Sequence, residues 1–343
     1  MKKIAVVGSG IAGVRAVEEI RLRDKESEIV IFCEEGCLPY QPHLFGDLLS
    51  KAIREENLFY KAPEFYKSQN IRLVTDKKIQ RVDLKKKRIT TEDKEQHSFD
   101  VLLINTTAAA AREIKGVNKK GVFSLRKLAD LKDAVSILHL IETVVIDGSS
   151  ALGVSIACGF KKRNKDVVLV APSAFILPHL VDKESASSIE KHLEENQIRV
   201  IRDNAITEIL GEGDVKALRL KSGKVLAAQA VILDNQKPDL RLWNDTGLEI
   251  KGGICVDECQ RTNVENVFAL GPSSQRRAGQ EKIFCFDDPA IFEEQGRVAG
   301  CVICAETTAF AYPQKGFSVN LFDRTVTLAL ADPAIKEVAV TTL

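Results

Sequence analysis

The feature that most constrains this chain is a break in its first apolar run. Lys3 to Val7 reads as a short buried strand, stops at Gly8-Ser-Gly10-Ile-Ala-Gly13, and gives way to helical periodicity from Val14 to Arg23. Each glycine has a separate physical task in such a strand-turn-helix. Gly8 makes the tight turn, Gly10 lets backbone approach a pyrophosphate, and Gly13 lets the helix lie close on the strand. The first turn of the helix, where Ile11 and Ala12 sit, presents N–H groups that have no partner within the helix, and these suit phosphate oxygens. A second strand, Glu28 to Phe32, ends at Cys33-Glu34-Glu35. An acid about 20 residues past the last glycine is what a ribose hydroxyl pair requires, and Glu34 and Glu35 lie 21 and 22 residues past Gly13. The pattern predicts a dinucleotide site.

The same grammar restarts 140 residues later. Thr143 to Ile146 is a strand, Gly148-Ser-Ser150-Ala-Leu-Gly153 opens a helix reaching about Lys162, and Asp166 to Val170 is the next strand. This second fingerprint is damaged: Ser150 replaces the middle glycine, and Ala171-Pro172 stand where an acid or a base would select NAD or NADP. The reading is divided between a nucleotide half with weakened binding and a half that keeps the fold alone. Further strands are expected at Ile71 to Thr75, Val101 to Ile104, Ile198 to Ile201, Ala230 to Leu233 and Val267 to Leu270, with helices at Leu128 to Leu140, Lys183 to Asn196 and Pro289 to Glu306. Strands alternating with helices argue for an α/β protein with parallel sheets. The antiparallel pieces are an excursion around Val82 to Thr91, alternating strands between Ile206 and Leu226, and a tail hairpin, Phe317 to Leu330, turning at Asp323-Arg324.

Composition removes other classes. The chain has 343 residues, enough for about two domains, and a net charge of +1, which gives no electrostatic reason to expect nucleic acid or an anionic membrane. No stretch approaches the 18 apolar residues of a membrane span. Lys2 and Lys3 precede an apolar run, but glycines and Arg15, Glu18 and Glu19 interrupt it too early for a signal peptide. The eight cysteines are scattered, as expected of thiols in a cytoplasmic protein. Cys301 and Cys304 fall inside an apolar helix with no second pair or nearby histidine, so no metal site is expected.

Beyond the glycines, several segments together carry a family pattern: Glu35-Gly-Cys-Leu-Pro39-Tyr40, Gly121-Val-Phe-Ser-Leu125-Arg126 with Asp130, Gly252-Gly253-Ile-Cys-Val256-Asp257 with Thr262, Val267-Phe268-Ala269 with Gly271, and Gln295-Gly296-Arg297. The chain resembles the FAD-dependent pyridine nucleotide oxidoreductases over residues 1 to about 330, specifically the branch of rubredoxin reductases and NADH-nitrite reductase flavoproteins. The resemblance implies two interleaved Rossmann-like domains: an FAD-binding domain from 1–112 and 247–312, and an NAD(P)-binding domain from 113–246. A β remnant, 313–343, resembles the opening strands of the family's third domain. That domain covers the flavin and supplies dimer contacts in the family, so its shortness implies either a partner chain or second copy on the strand edge, or an open flavin site.

The resemblance places FAD on Gly8, Gly10, Ile11, Ala12, Gly13, Glu34, Glu35, Ile79, Thr106, Thr107, Gly271 and Pro272, and NAD(P)H, with weakened binding, on Gly148, Ser150 and Gly153. Departures concentrate near the flavin ring. Asn105-Thr106-Thr107 replaces Ala-Thr-Gly, and Pro272 replaces the Asp that bonds the ribityl chain, where proline offers neither acceptor nor N–H. Asn235 replaces a glycine before Pro238, and Ser155 a Glu near the nicotinamide. No Cys-x4-Cys redox pair is present, and no catalytic residue is named. The implied reaction takes electrons from NAD(P)H through flavin to a small carrier protein of the rubredoxin or ferredoxin type, or to a partner subunit. The alternative is a nucleotide- or flavin-binding subunit without that activity.

Overall fold

The structure is a computed structural model that describes residues 1–106, 114–125, 127–178, 180–234, 239–278, 281–284, 288–313, 316–328 and 340–342. The chain divides into two compact units. One comprises Met1–Gln41, Phe59–Ala110 and Pro238–Pro313, the other Pro42–Leu58, Ala111–Lys237 and Gln314–Leu343. The backbone therefore passes back and forth between units rather than completing one before starting the other.

The first unit is built on a five-stranded sheet in the order Val267–Ala269, Val101–Ile104, Lys3–Val7, Glu28–Cys33, Ile71–Thr75. All four pairings are parallel. All five strands have the bounds expected from the sequence to within a residue. Four have continuous apolar interiors, which is what a sheet covered on both faces demands, and Ile71–Thr75, at one edge, has Arg72 exposed. One face carries the helix Ile11–Arg23 against the helix Pro289–Ile303. A side chain on Gly296 would collide with the Ala12 carbonyl, and one on Gly300 would press on Glu19 and Ala16, so small residues let these helices approach closely. The other face forms a core of Val7, Phe32, Leu102 and Ile104 with Trp243, Ile254 and Val256. The antiparallel excursion is a three-stranded sheet of Ile79–Asp83, Arg88–Thr91 and Gln96–Ser98. The basic run Lys85 to Arg88 lies exposed at its turn.

The second unit repeats the plan. Its parallel sheet runs Ile198–Ile201, Asp166–Val170, Thr143–Asp147, Ala230–Leu233, Val122–Phe123. An antiparallel sheet of Ile206–Leu210, Ala217–Leu220 and Val225–Ala227 packs over Val145, Val168 and Val170. The helix Ala151–Lys162 is buried from Ala151 to Phe160. Its cover includes the short helix Phe45–Leu49, from a stretch whose prolines read as loop, where Gly46 lies against Ser155. The tail hairpin, Phe317–Leu321 and Arg324–Leu328, turns at Phe322 and Asp323. It is tied down by Asn320 Nδ2 donating to Asp47 Oδ2 at 3.1 Å and Lys162 Nζ donating to the Phe322 carbonyl at 3.3 Å.

The strands that pattern does not mark include Gln96–Ser98, Val122–Phe123, Ile254–Val256, Ser274–Ala278 and Glu281–Phe284. Two of them carry the charged sequences SQRRA and EKIF, which show no apolar run to mark them.

Candidate functional site

At the first fingerprint, Gly8 adopts φ +102°, a conformation that disfavours any side chain. Its N–H donates to the Phe32 carbonyl at 3.0 Å, which fixes the turn above the sheet. A Cβ on Gly8 would run into the Asn105 carbonyl, and one on Gly13 would meet Asn105 Nδ2 at 2.8 Å and Val6 at 2.9 Å. Asn105, 1% exposed, is thus the residue on which the turn is built. Its Nδ2 donates to the Gly10 carbonyl at 2.8 Å, and its backbone N–H continues the sheet to Val7 at 2.8 Å. Gly271, at φ +62°, closes the other side, with its α-carbon facing Asn105 Oδ1. The Gly271 N–H donates to Gln295 Oε1 at 2.8 Å.

Three observations at this turn fit a dinucleotide. The helix Ile11–Arg23 begins at Gly10 with no side-chain cap and no acid in its first turn, so the first N–H groups are left for an outside acceptor. Asn105 Oδ1 and Thr106 Oγ1 are buried with no hydrogen-bond partner among the described residues, a costly state unless something else satisfies them. Glu34 is exposed at the end of the second strand, beside Glu35, whose carboxylate accepts from Tyr40 Oη at 2.7 Å. Ile79 starts its strand opposite Thr91 and packs on the core. Pro272 sits in the single helical turn Gly271–Ser273. Thr107, Arg126, Asn235 and Pro238 lie outside the described residues.

The second fingerprint is arranged differently. Gly148 takes φ 150°, and the helix Ala151–Lys162 begins at Ser150, whose hydroxyl oxygen accepts from the Gly153 N–H at 3.2 Å. The same hydroxyl donates to Asp234 Oδ1 at 2.8 Å, and the Ser150 N–H donates to Asp234 Oδ2 at 3.1 Å. Asp234 is 2% exposed, and a Cβ on Gly153 would come within 2.5 Å of its Oδ2. Ser155 is buried. Sequence pattern marks Asn105 only as a departure from Ala-Thr-Gly and does not mark Asp234, whose one signal is an acid closing the all-apolar run Ala230 to Leu233.

The thiols of Cys33, Cys301 and Cys304 are raised by burial. Burial at the end of its strand, reinforced by Cys37 and Glu35, pushes the Cys33 thiol up to about 12. Among the described residues, no three His, Cys, Asp or Glu side chains are grouped so as to hold a metal, and no helix is long and apolar enough to cross a membrane.

Known proteins share this architecture. The chain is 29% identical over 332 residues to an NADH oxidase of Methanocaldococcus jannaschii, covering 92% of this chain and 72% of the relative. It is 28% identical over 278 residues to a rubredoxin-NAD(+) reductase of Ectopseudomonas oleovorans, covering 80% and 72%. The NAD-dependent persulfide reductase from A. fulgidus superposes with a TM-score of 0.86 over 95% of this chain at 24% identity, and this chain spans 63% of its length, a likeness of fold. The family model for pyridine nucleotide-disulphide oxidoreductases matches residues 2–280. With parallel sheets and two strand-glycine turn-helix units in place, the chain belongs to the pyridine nucleotide-disulphide oxidoreductase family.

Proposed function

We propose that this protein is a cytoplasmic FAD-dependent oxidoreductase that passes electrons from reduced nicotinamide, through flavin, to a small electron-carrier protein or a partner subunit. The observation that carries the reading is the first fingerprint, with a helix start no side chain caps, a glycine that tolerates no side chain, and buried atoms of Asn105 and Thr106 with no partner among the described residues. Here Gly8, Gly10 and Gly13 shape the turn, and the N–H groups of Ile11 and Ala12 hold the pyrophosphate. Glu34 or Glu35 accepts from the ribose hydroxyls, and Thr106 and Gly271 border the same turn. Bound FAD supplies the redox chemistry, taking a hydride equivalent and releasing electrons to a carrier. The chain's part is to bind and orient it. The rubredoxin reductase relative favours a small electron-carrier protein as acceptor. The buried cysteines Cys33, Cys158, Cys255 and Cys301 are thiols, in keeping with a reducing compartment. In the second unit, Gly148, Ser150 and Gly153 form the nicotinamide nucleotide turn, with weakened binding.

A second reading, a flavin-binding subunit that nicotinamide does not reduce, is favoured by Asp234 at that turn and by Pro272 beside the first. One experiment separates them: record the purified protein's absorbance near 450 nm, then add NADH or NADPH without oxygen. Under the main reading the flavin band is present and bleaches at high nucleotide concentration. A band that stays leaves the subunit reading, and a protein that binds no flavin overturns both.

A further inference from the structure

The two fingerprint turns have the same spacing but different occupants. At the first, Gly10 carries no side chain, and among the described residues no side chain caps the helix. At the second, both donors of the matching residue, the Ser150 N–H and hydroxyl, are spent on the Asp234 carboxylate at 3.1 and 2.8 Å. The field of the helix N-terminus favours one negative charge, and Asp234 supplies it from inside the protein. The carboxylate is held firmly: the Asp234 N–H donates to the Asp147 carbonyl at 3.1 Å, continuing the strand Ala230–Leu233, and Gly153 leaves room for Oδ2 directly above the helix start. A pyrophosphate entering this turn would have to displace a buried carboxylate from two hydrogen bonds or settle beside its charge, and both are unfavourable. The end of the neighbouring strand offers no compensation, because Ala171 there is fully buried and carries no polar side chain.

We propose that Asp234 is an internal stand-in for the nucleotide phosphate and is the residue that sets the weak affinity of the second turn for nicotinamide dinucleotides. The proposal rests on the reading of this unit as the nicotinamide nucleotide half. It assigns the weakness to one side chain rather than to the loss of the middle glycine, so removing the carboxylate restores binding while Ser150 stays in place.

The test titrates the purified protein with NAD+ by calorimetry, the oxidised form being chosen so that no electron transfer contributes heat. The wild-type chain is expected to bind with Kd weaker than about 1 mM. Asp234→Ala is expected to bind at least tenfold tighter, and Asp234→Asn, which keeps the volume and one acceptor but no charge, to fall between. Ser150→Gly alone, leaving the carboxylate in place, is expected to gain less than Asp234→Ala. Should Asp234→Ala fail to fold, as judged by its thermal transition, Asp234→Asn decides. Wild-type binding in the micromolar range overturns the proposal, as does a folded Asp234→Asn or Asp234→Ala that binds no better than wild type. The flavin absorbance of the same samples reports separately on the first turn, so loss of the FAD reading and loss of this one leave different signatures.

Discussion

Asn105 bears more of the first turn than any glycine does by itself. Its side chain reaches Gly10, stands against Gly13 and faces Gly271, so one residue ties the start of the fingerprint helix to the turn after Val267–Ala269. Gly8→Ala places a methyl group against the Asn105 carbonyl at a positive φ. It should cost at least about 2 kcal/mol, read as a lower urea midpoint, with loss of the 450 nm band. Asn105→Ala removes one buried hydrogen bond and should cost about 1 kcal/mol, with weaker flavin retention as its separate readout. Neither effect is written in the glycine spacing. The spacing shows that a turn must form, and the partner it forms against comes from a strand almost 100 residues away. Cys33 gives the opposite lesson: its place beside Glu34 and Glu35, the proposed ribose acids, does not reveal its burial, and its strand buries it and its thiol is pushed up to about 12. A thiol reagent at about pH 8 should leave Cys33 unmodified in the folded protein and label it on unfolding, as mass spectrometry of the labelled peptide would show.

Elements were legible where their burial is symmetric and obscure where it is not. Strands such as Asp166–Val170 and Val101–Ile104 are read directly from apolar runs, because a parallel sheet is covered on both faces. Ser274–Ala278 is not, since its SQRRA sequence shows no apolar run, and the short helix Phe45–Leu49 is not, since the helix it packs on comes from a distant part of the chain. The strand Gln96–Ser98 carries a testable consequence. Its His97 packs edge-on against Phe32 at 5.0 Å, and burial, with help from Arg72 and Lys77, lowers its pKa below the ordinary 6.5. The folded state therefore binds fewer protons than the unfolded chain as pH falls through 6.5, so stability is lost on acidification and regained above it. Urea midpoints at about pH 7.5 and 5.5 should fall on acidification in wild type, and by less in His97→Gln. An equal drop in both would show that other groups govern this range.

For the whole molecule, the interleaving of the two units matters most. The only tryptophan, Trp243, is 1% exposed and packs in the core of the first unit with Val7 and Ile104. Its fluorescence therefore reports unfolding of the unit that carries the first fingerprint. A ligand that binds the folded state alone raises the midpoint in proportion to the logarithm of its concentration. Added FAD should raise the fluorescence-detected melting temperature by several degrees at about 100 times its Kd, whereas NAD+ at the same concentration should leave it unchanged. A shift with NAD+ equal to that with FAD would count against the assignment of the two turns.

The sequence by itself determined the class of fold, the two glycine turns that open helices and most of the parallel strands. These depend on local causes: apolar runs that fit a doubly covered sheet, glycines that alone allow a tight turn, and helix starts placed by chain spacing. Tertiary structure alone decided what each turn holds. Asn105 and Asp234 both follow apolar strands, yet one props open an uncapped helix start while the other fills its counterpart with a carboxylate. The difference lies in which strand end meets which turn across the sheet, and strand pairing between distant segments is not encoded in any single stretch of chain.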